Sequence, residues 1–249
     1  TLPLWLAGLS FVFFAAGGQR FRMIGWMFVT PFLLLWLLQG RGYYLAPAYP
    51  MLLAAGAVWG ERWLQTLAPQ PARQVRRTVT IGLAVGAVIS ALLTLPLTPV
   101  NSPMWRIADS VHENFREMVG WPELVETVAD IYATLPAEEQ AHTAILTGNY
   151  GEMGAINLYG PAYGLPQAIS GINSAWERGY GDPPPQRVII VGYGQEAANR
   201  FFQDCQVAGQ VTNRYGVENE ESSWRPAIML CRSPRQPWPE LWPHLRSFG

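Results

Sequence analysis

The sequence predicts α-helical transmembrane segments followed by a small α/β domain outside the membrane. Three observations lead to this fold class. Four apolar segments fill the first part of the chain, the balance of charge reverses near residue 100, and strands alternate with helices in the remainder. With 49% hydrophobic and only 14% charged residues, the 249-residue chain is also poor in charge for a soluble protein.

The apolar segments cover roughly 2–16, 23–38, 43–60 and 78–98 and contain almost no charge. The last is long enough to cross a hydrocarbon core of ~30 Å as a helix. Flanking tryptophans at the interface extend the reach of the shorter ones. We therefore predict a transmembrane region over residues 1–100, with about four helices.

Arginines predict the orientation of this region. Up to Val100 the chain has seven arginines and one acid, whereas from Asn101 onward ten arginines face seventeen acids. The connectors Gly17–Arg22 and Glu61–Arg77 hold most of the first seven, and the positive-inside rule assigns both to the cytoplasm. Alternation then places Arg41 and residues 101–249 outside. The short basic cluster in the second connector predicts contact with membrane lipids and no nucleic-acid partner.

The outside domain, residues 101–249, shows a β/α pattern. Pro122 and Glu123 begin a helix whose apolar residues recur at helical spacing. We predict helices at 122–135, 152–159 and 195–203, and strands at 143–147, 167–170, 188–191, 206–212 and 227–231. Strands separated by short helices favour a sheet with helices packed on it.

Two loops of this domain are candidate ligand contacts. The glycines of Gly148–Gly154 follow a predicted strand and open a helix, a place where backbone N–H groups can approach an anion. Glu152 in the same turn would repel a phosphate, so an ordinary βα turn remains the alternative. If the loops contact a ligand, the contacts we expect are Asn149, Tyr150, Glu152 and, in the second loop, Asn173.

Other chemistry is sparse. Cys205 and Cys231 each lie beside a predicted strand, and they form either a disulfide in an oxidising compartment or two separately buried thiols. The three histidines are isolated, so no metal site is predicted. We assign no catalytic residue and expect this chain to require no cofactor.

The most unusual segment is Gly40–Pro50, which interrupts two apolar segments with an arginine, three tyrosines and two prolines. A guanidinium binds phosphate in a bidentate manner and tyrosine hydroxyls add donors. Arg41, Tyr43 and Tyr44 at the outer surface therefore suit the phosphate of a lipid carrier. The alternative is an interfacial aromatic belt with one arginine that reaches the headgroups.

At this motif the sequence resembles bacterial membrane glycosyltransferases related to protein O-mannosyltransferases and to the lipid A aminoarabinose transferase, the family-39-like group. Many members carry a Gly-Lys-Gly-Tyr-Tyr-Leu-x-Pro-Ala-Tyr-Pro-like segment where this chain has Gly40–Pro50, with Arg41 in place of the lysine. Stretches that begin at Trp121, Gly148 and Ser170 are similar to the C-terminal domain of the same proteins.

The resemblance implies the C-terminal part of a multi-pass enzyme of the bacterial inner membrane with a periplasmic domain in the cell envelope. Such enzymes transfer a sugar from a polyprenyl-phosphate donor to an outside acceptor, and their catalytic acid lies in an N-terminal half. We therefore expect Arg41 to hold the carrier phosphate, and we expect no catalytic carboxylate within residues 1–249. Because an apolar segment starts almost at Thr1, a longer parent protein is expected. The competing interpretation is a membrane-anchored module that binds a ligand or partner without catalysis.

Overall fold

The computed structural model of the protein describes residues 2–248. The chain divides into two compact units, the first ending at Leu92 and the second beginning at Leu93. The first unit is helical, and the second is built on a sheet.

Within the described residues, the first unit contains four α-helices and two 3₁₀ segments, and the last of these helices continues two residues beyond Leu92. They are α1 (Leu2–Phe14), the 3₁₀ turn Gln19–Phe21, α2 (Arg22–Leu37), the 3₁₀ segment Gly42–Ala48, α3 (Tyr49–Thr66) and α4 (Pro69–Thr94). Aromatic rings hold α1 against its neighbours: the Trp5 ring lies 5.5 Å from Phe28 on α2 and 5.7 Å from Tyr49 on α3. Leu52 of α3 is completely buried at this contact, whereas no residue of α4 is buried.

These helices differ most from the predicted ranges in two places, and α4 also ends at Thr94, four residues before the predicted range 78–98 ends. The range 43–60 is not one helix, because its first residues form the 3₁₀ segment and α3 begins only at Tyr49. Pro50 lies in the first turn of α3, where the missing N–H has no intrahelical partner to lose. The predicted basic connector Glu61–Arg77 is also mostly helical, because α3 extends to Thr66 and α4 starts at Pro69. An ion pair of 2.8 Å joins Arg76 Nη2 on α4 to Glu61 Oε1 on α3.

Length and composition allow two of these helical stretches to cross a membrane. Gln19–Leu37 and Pro69–Thr94 have the required length and mean hydropathy, whereas Leu2–Phe14 is apolar but shorter. Thirteen residues of helix span only about 20 Å, against a core of about 30 Å. Of the four predicted spanning helices, two therefore have the length and hydropathy that a membrane span needs. That any of them crosses a membrane stays a prediction.

The second unit carries a five-stranded mixed sheet. Its strands are β1 (Thr143–Thr147), β2 (Ile169–Ser170), β3 (Arg187–Val191), β4 (Gln206–Gln210) and β5 (Ala227–Cys231). Its α-helices are α5 (Pro103–Val111), α6 (Asn114–Glu117), α7 (Trp121–Ala133), α8 (Ala137–Gln140), α9 (Tyr150–Tyr159), α10 (Gln195–Phe201), α11 (Glu220–Ser223) and α12 (Trp238–Leu241). Short 3₁₀ segments cover Gly160–Tyr163, Asn173–Arg178 and Trp242–Leu245. The predicted α/β character of this part of the chain is confirmed.

The sheet order is β2-β1-β3-β5-β4. β1 pairs in parallel with both β2 and β3, whereas β5 runs antiparallel to β3 and to β4. All five residues of β1 and four of the five in β3 are buried, as expected for central strands covered on both faces. Because these three strands are parallel, the carboxyl ends of β1, β2 and β3 lie side by side at the same end of the sheet.

Two apolar cores cover the two faces of this sheet. Alternate residues of each strand point to opposite faces, so Ile145 and Ile189 pack with α7 and α9, whereas Leu146 and Ile190 pack on the other side. The second core also holds Phe202 and the tryptophans of the C-terminal helical turns. Both cores include residues of β1 and β3 and so position the turns that follow these two strands.

The structure contains a disulfide between Cys205 and Cys231, the pair that the sequence singled out. It ties the residue before β4 to the last residue of β5, across a separation of 26 residues. Of the two alternatives left open by the sequence, the structure has the bridge and not two separate thiols.

Candidate functional site

The first candidate site is the segment Gly40–Pro50 of the helical unit. Its apolar residues Leu45 and Ala48 are buried against Phe28 and Leu52 and fix the 3₁₀ segment to α2 and α3. The polar residues at its start point away from this cluster and are exposed. The fold thus presents one side of the segment and buries the other.

Arg41, Tyr43 and Tyr44 lie together at the exposed start. The Arg41 guanidinium donates through Nη1 to the Tyr43 hydroxyl at 3.3 Å, and the rings of Tyr43 and Tyr44 are 4.6 Å apart. Both rings are about 60% exposed. A guanidinium carries five N–H donors in a planar fork, so a cation and two hydroxyls converge on one small surface. This arrangement can bind an anion such as a phosphate.

The second candidate site lies in the other unit, at the carboxyl ends of β1 and β3. β1 continues into α9, which leads to β2 at one edge of the sheet, whereas β3 continues into α10, which leads toward β4 at the other edge. Chain connections therefore leave these two neighbouring strands in opposite directions. Open α/β sheets bind ligands at such a topological switch point.

The glycine turn after β1 is closed by its own side chains. Asn149 Oδ1 accepts the Glu152 N–H at 2.8 Å, and Glu152 Oε2 accepts the N–H groups of Gly148 and Asn149 at 2.9 and 3.2 Å. This reciprocal capping box uses two amides that an anion would otherwise need. A phosphate-binding turn is therefore disfavoured: the sequence suggested that Glu152 would repel a phosphate, and in the structure its carboxyl group also occupies the amides that a phosphate would need.

The turn after β3 packs directly on this carboxyl group. Gly192 has a left-handed backbone with φ of +76°, and a Cβ atom there would stand only 2.2 Å from Glu152 Oε1. Only glycine satisfies both the conformation and the space. The two glycine turns are thus one structure, joined through Glu152, which is 2% exposed.

Residues from the segment between β4 and β5 complete the site. Glu221 is 9% exposed, and its Oε1 accepts a long hydrogen bond of 3.5 Å from Asn149 Nδ2. Arg225 donates through Nη1 to the Gly192 carbonyl at 3.0 Å and lies 4.9 Å from the centre of the Trp224 ring. Together with Glu220, these side chains and the two glycine turns enclose a small cavity of about 90 Å³.

Burial dominates the electrostatics of this cavity. It raises the pKa of Glu152 to about 7, with the negative charges of Glu221 and Glu220 adding to the effect and the two backbone N–H groups opposing it. Burial also raises the pKa of Glu221, and it raises the pKa of the neighbouring Tyr193 to about 12. Two carboxyl groups that both resist ionisation therefore share one pocket.

The structure places the four predicted loop residues differently. Asn149 and Glu152 line the cavity, but Tyr150 is 69% exposed and lies outside its lining. Asn173 is not part of the lining either, and its backbone N–H donates to the Ser247 carbonyl at 2.9 Å. Within residues 2–248 no three His, Cys, Asp or Glu side chains are grouped so that they could hold a metal ion.

Sequence reasoning missed Glu221, Trp224 and Arg225. Glu221 is 72 residues from Asn149, and its segment shows no strand or helix periodicity. The one local signal is the capping pattern of Asn219 and Ser222, which begins α11.

Comparison with protein-family profiles, with curated proteins and with solved structures finds no match to this chain.

Proposed function

We propose that this chain is the C-terminal part of an integral membrane glycosyltransferase that uses a polyprenyl-phosphate-linked sugar donor. The acceptor lies on the outer face of the bacterial inner membrane, and the second unit is periplasmic. The observation that carries the proposal is the convergence of Arg41, Tyr43 and Tyr44 at the exposed start of a segment anchored between apolar helices.

The chemistry of this cluster supports a phosphate ligand. A guanidinium matches the geometry of phosphate oxygens, and tyrosine hydroxyls next to it can donate further hydrogen bonds. Two helical stretches of the same unit have the length and hydropathy of membrane spans, so a phosphate on a lipid would reach the cluster from the bilayer. The resemblance of Gly40–Pro50 to the family-39-like motif adds the reaction class. No residue of this chain is assigned the catalytic acid or base.

The test is binding and transfer by the full-length gene product. Native mass spectrometry with a polyprenyl phosphate, and with the corresponding polyprenol as the control ligand, measures the contribution of the phosphate. Arg41→Ala should weaken phosphate-dependent binding about tenfold or more, since a hydrogen bond to a charged group is worth about 1.5–3 kcal/mol. Arg41→Lys should keep part of the affinity, because it keeps the charge but not the fork.

A matched control is Arg20→Ala, which removes an exposed arginine from the 3₁₀ turn Gln19–Phe21. This variant should leave phosphate-dependent binding unchanged. Sugar transfer to membrane acceptors should fall with Arg41→Ala alone. Equal binding of polyprenol and polyprenyl phosphate, or full transfer by Arg41→Ala, would return the cluster to an interfacial aromatic belt.

A membrane-anchored binding module is the second candidate function. It is favoured by the cavity at the switch point, which lies wholly within the second unit. If this is the only role, full-length protein should bind a ligand there and transfer no sugar.

A further inference from the structure

Glu221, which lines the cavity at the switch point, has one carboxylate oxygen that the fold leaves without a partner. Glu221 Oε2 is buried and has no hydrogen bond to any residue in the described part of the chain. A buried acceptor left unpaired lowers the stability of the folded state, and more so when it is charged. Such an oxygen is explained when a ligand supplies the donor.

Neighbouring residues hold Glu221 in this position. Asn219 caps α11 by accepting the Ser222 N–H at 2.9 Å, and its own amide donates to the Val119 carbonyl at 2.7 Å. Ser222 Oγ in turn accepts the Asn219 N–H at 3.0 Å. These bonds fix the start of α11, the short helix that carries Glu221, and Asn149 donates to the carboxyl group itself.

The cavity offers acceptors and donors side by side. Acceptors come from the carboxyl groups of Glu221 and Glu152, and the donor is the Arg225 guanidinium at the rim. The Trp224 ring is 70% exposed next to them and supplies a flat apolar surface. This combination limits the class of ligand.

Three simple ligands fit poorly. A phosphate is negatively charged at neutral pH and would face two carboxyl groups. A metal ion would find no group of three ligating side chains among residues 2–248 and would lie near a guanidinium. An ammonium group has donors only and leaves Arg225 unused.

We infer that this cavity binds neighbouring hydroxyl groups of a carbohydrate, with Glu221 accepting from one hydroxyl, Arg225 donating to another and Trp224 packing against the sugar ring. A hydroxyl both donates and accepts, so a pair of them matches the mixed lining. A cavity of about 90 Å³ admits the hydroxyl edge of a sugar, while the ring stays at the exposed tryptophan. The site is complete within the second unit and does not depend on the proposed transferase reaction.

Saturation-transfer difference NMR tests this on the full chain, solubilised in a detergent without a sugar headgroup. The probes are three epimeric methyl glycosides, those of mannose, glucose and galactose. At least one should receive saturation from the protein. Ethanolamine, calcium and inorganic phosphate serve as the alternative ligands and should not compete with it.

Variants locate the binding. Glu221→Gln keeps an acceptor but removes the charge, so it should weaken glycoside binding about fivefold, the difference between a hydrogen bond to a charged group and one to a neutral group. Trp224→Ala should weaken it as well, and Trp224→Phe should restore much of the affinity because it keeps a ring. Glu218→Gln changes an exposed acid outside the cavity lining and should bind like the parent.

Specific results would overturn the inference. The inference is wrong if no glycoside receives saturation from the protein. It is also wrong if Trp224→Ala binds the glycoside as tightly as the parent does, since Trp224 is exposed and its removal should not affect folding. Competition by ethanolamine or calcium would make the cavity a cation site instead. Since no assay here measures sugar transfer, a failure leaves the proposed function standing, and a failed Arg41 test leaves this site standing.

Discussion

The buried carboxyl group of Glu152 makes the stability of the second unit depend on pH. Its pKa rises from 4.5, its ordinary value, to about 7 because the side chain is buried beside two other glutamates. Between these values the folded state holds the proton and the unfolded state has released it. The free energy of unfolding therefore falls as pH rises. This stabilisation is fully present below about pH 4.5 and is lost as pH passes through about 7.

The magnitude follows from the size of the pKa difference. Each pKa unit corresponds to about 1.4 kcal/mol, so ionising Glu152 in the folded state costs about 3 kcal/mol, most of it between about pH 5 and pH 8. In Glu152→Gln the side chain cannot ionise. Its carbonyl oxygen can still accept from the N–H groups of Gly148 and Asn149, as glutamine does in other capping boxes.

The parent protein loses this stability as pH rises, whereas Glu152→Gln does not. We therefore expect the difference in the free energy of unfolding between Glu152→Gln and the parent to shift by about 2–3 kcal/mol in favour of the variant from about pH 5 to about pH 8. Urea unfolding of the detergent-solubilised full chain measures the free energy of unfolding at each pH. The signal is the near-ultraviolet circular dichroism, to which the packed tryptophans Trp238 and Trp242 contribute. The control is Glu196→Gln, which removes a carboxylate that is 95% exposed and should show no such pH dependence. If parent and Glu152→Gln give parallel stability curves, Glu152 ionises normally and the reasoning from burial is wrong.

Further predictions use the same unfolding assay. Gly192→Ala should destabilise the second unit by at least about 1–2 kcal/mol, because a Cβ there combines a left-handed backbone with a clash against Glu152. Gly194→Ala is its control, since Gly194 has a φ of −70° and open space around its Cβ; an equal loss in both variants would contradict this reason. Reduction of the disulfide should cost about 3–4 kcal/mol for a loop of 26 residues, whereas a Cys205→Ala/Cys231→Ala double variant should not respond to reductant. An unchanged midpoint on reduction of the parent would contradict this expectation.

Much of the sheet could be predicted because its signals are local. The range 143–147 matches β1 residue for residue, and 227–231 matches β5, since short apolar runs between turn residues are typical of buried strands. The helical unit was harder. Hydropathy placed the start of α3 at residue 43, six residues too early, and the start of α4 at residue 78, nine residues too late. Charged residues near a helix end lower the hydropathy without breaking the backbone.

The candidate sites show the same contrast. Arg41, Tyr43 and Tyr44 are neighbours in sequence, so the fold could hardly separate them. Asn149 and Glu152 were singled out for their turn, and both line the cavity. Asn173 was singled out because it follows a predicted strand, but it is not among the residues that line the cavity.

By itself, the sequence determined the order of the five strands and of three helices of the second unit, the reversal of charge near residue 100 and the grouping of Arg41 with its tyrosines. These properties depend on residues a few positions apart, where backbone geometry fixes which side chains can meet. Only the tertiary structure decided that Glu221 joins Asn149 across 72 residues and that one of its oxygens is left unpaired. The pairing of β3 with β5 brings Glu221 to Asn149, because it places the segment before β5 at the end of β3. No local pattern in the sequence specifies which distant segments pack together.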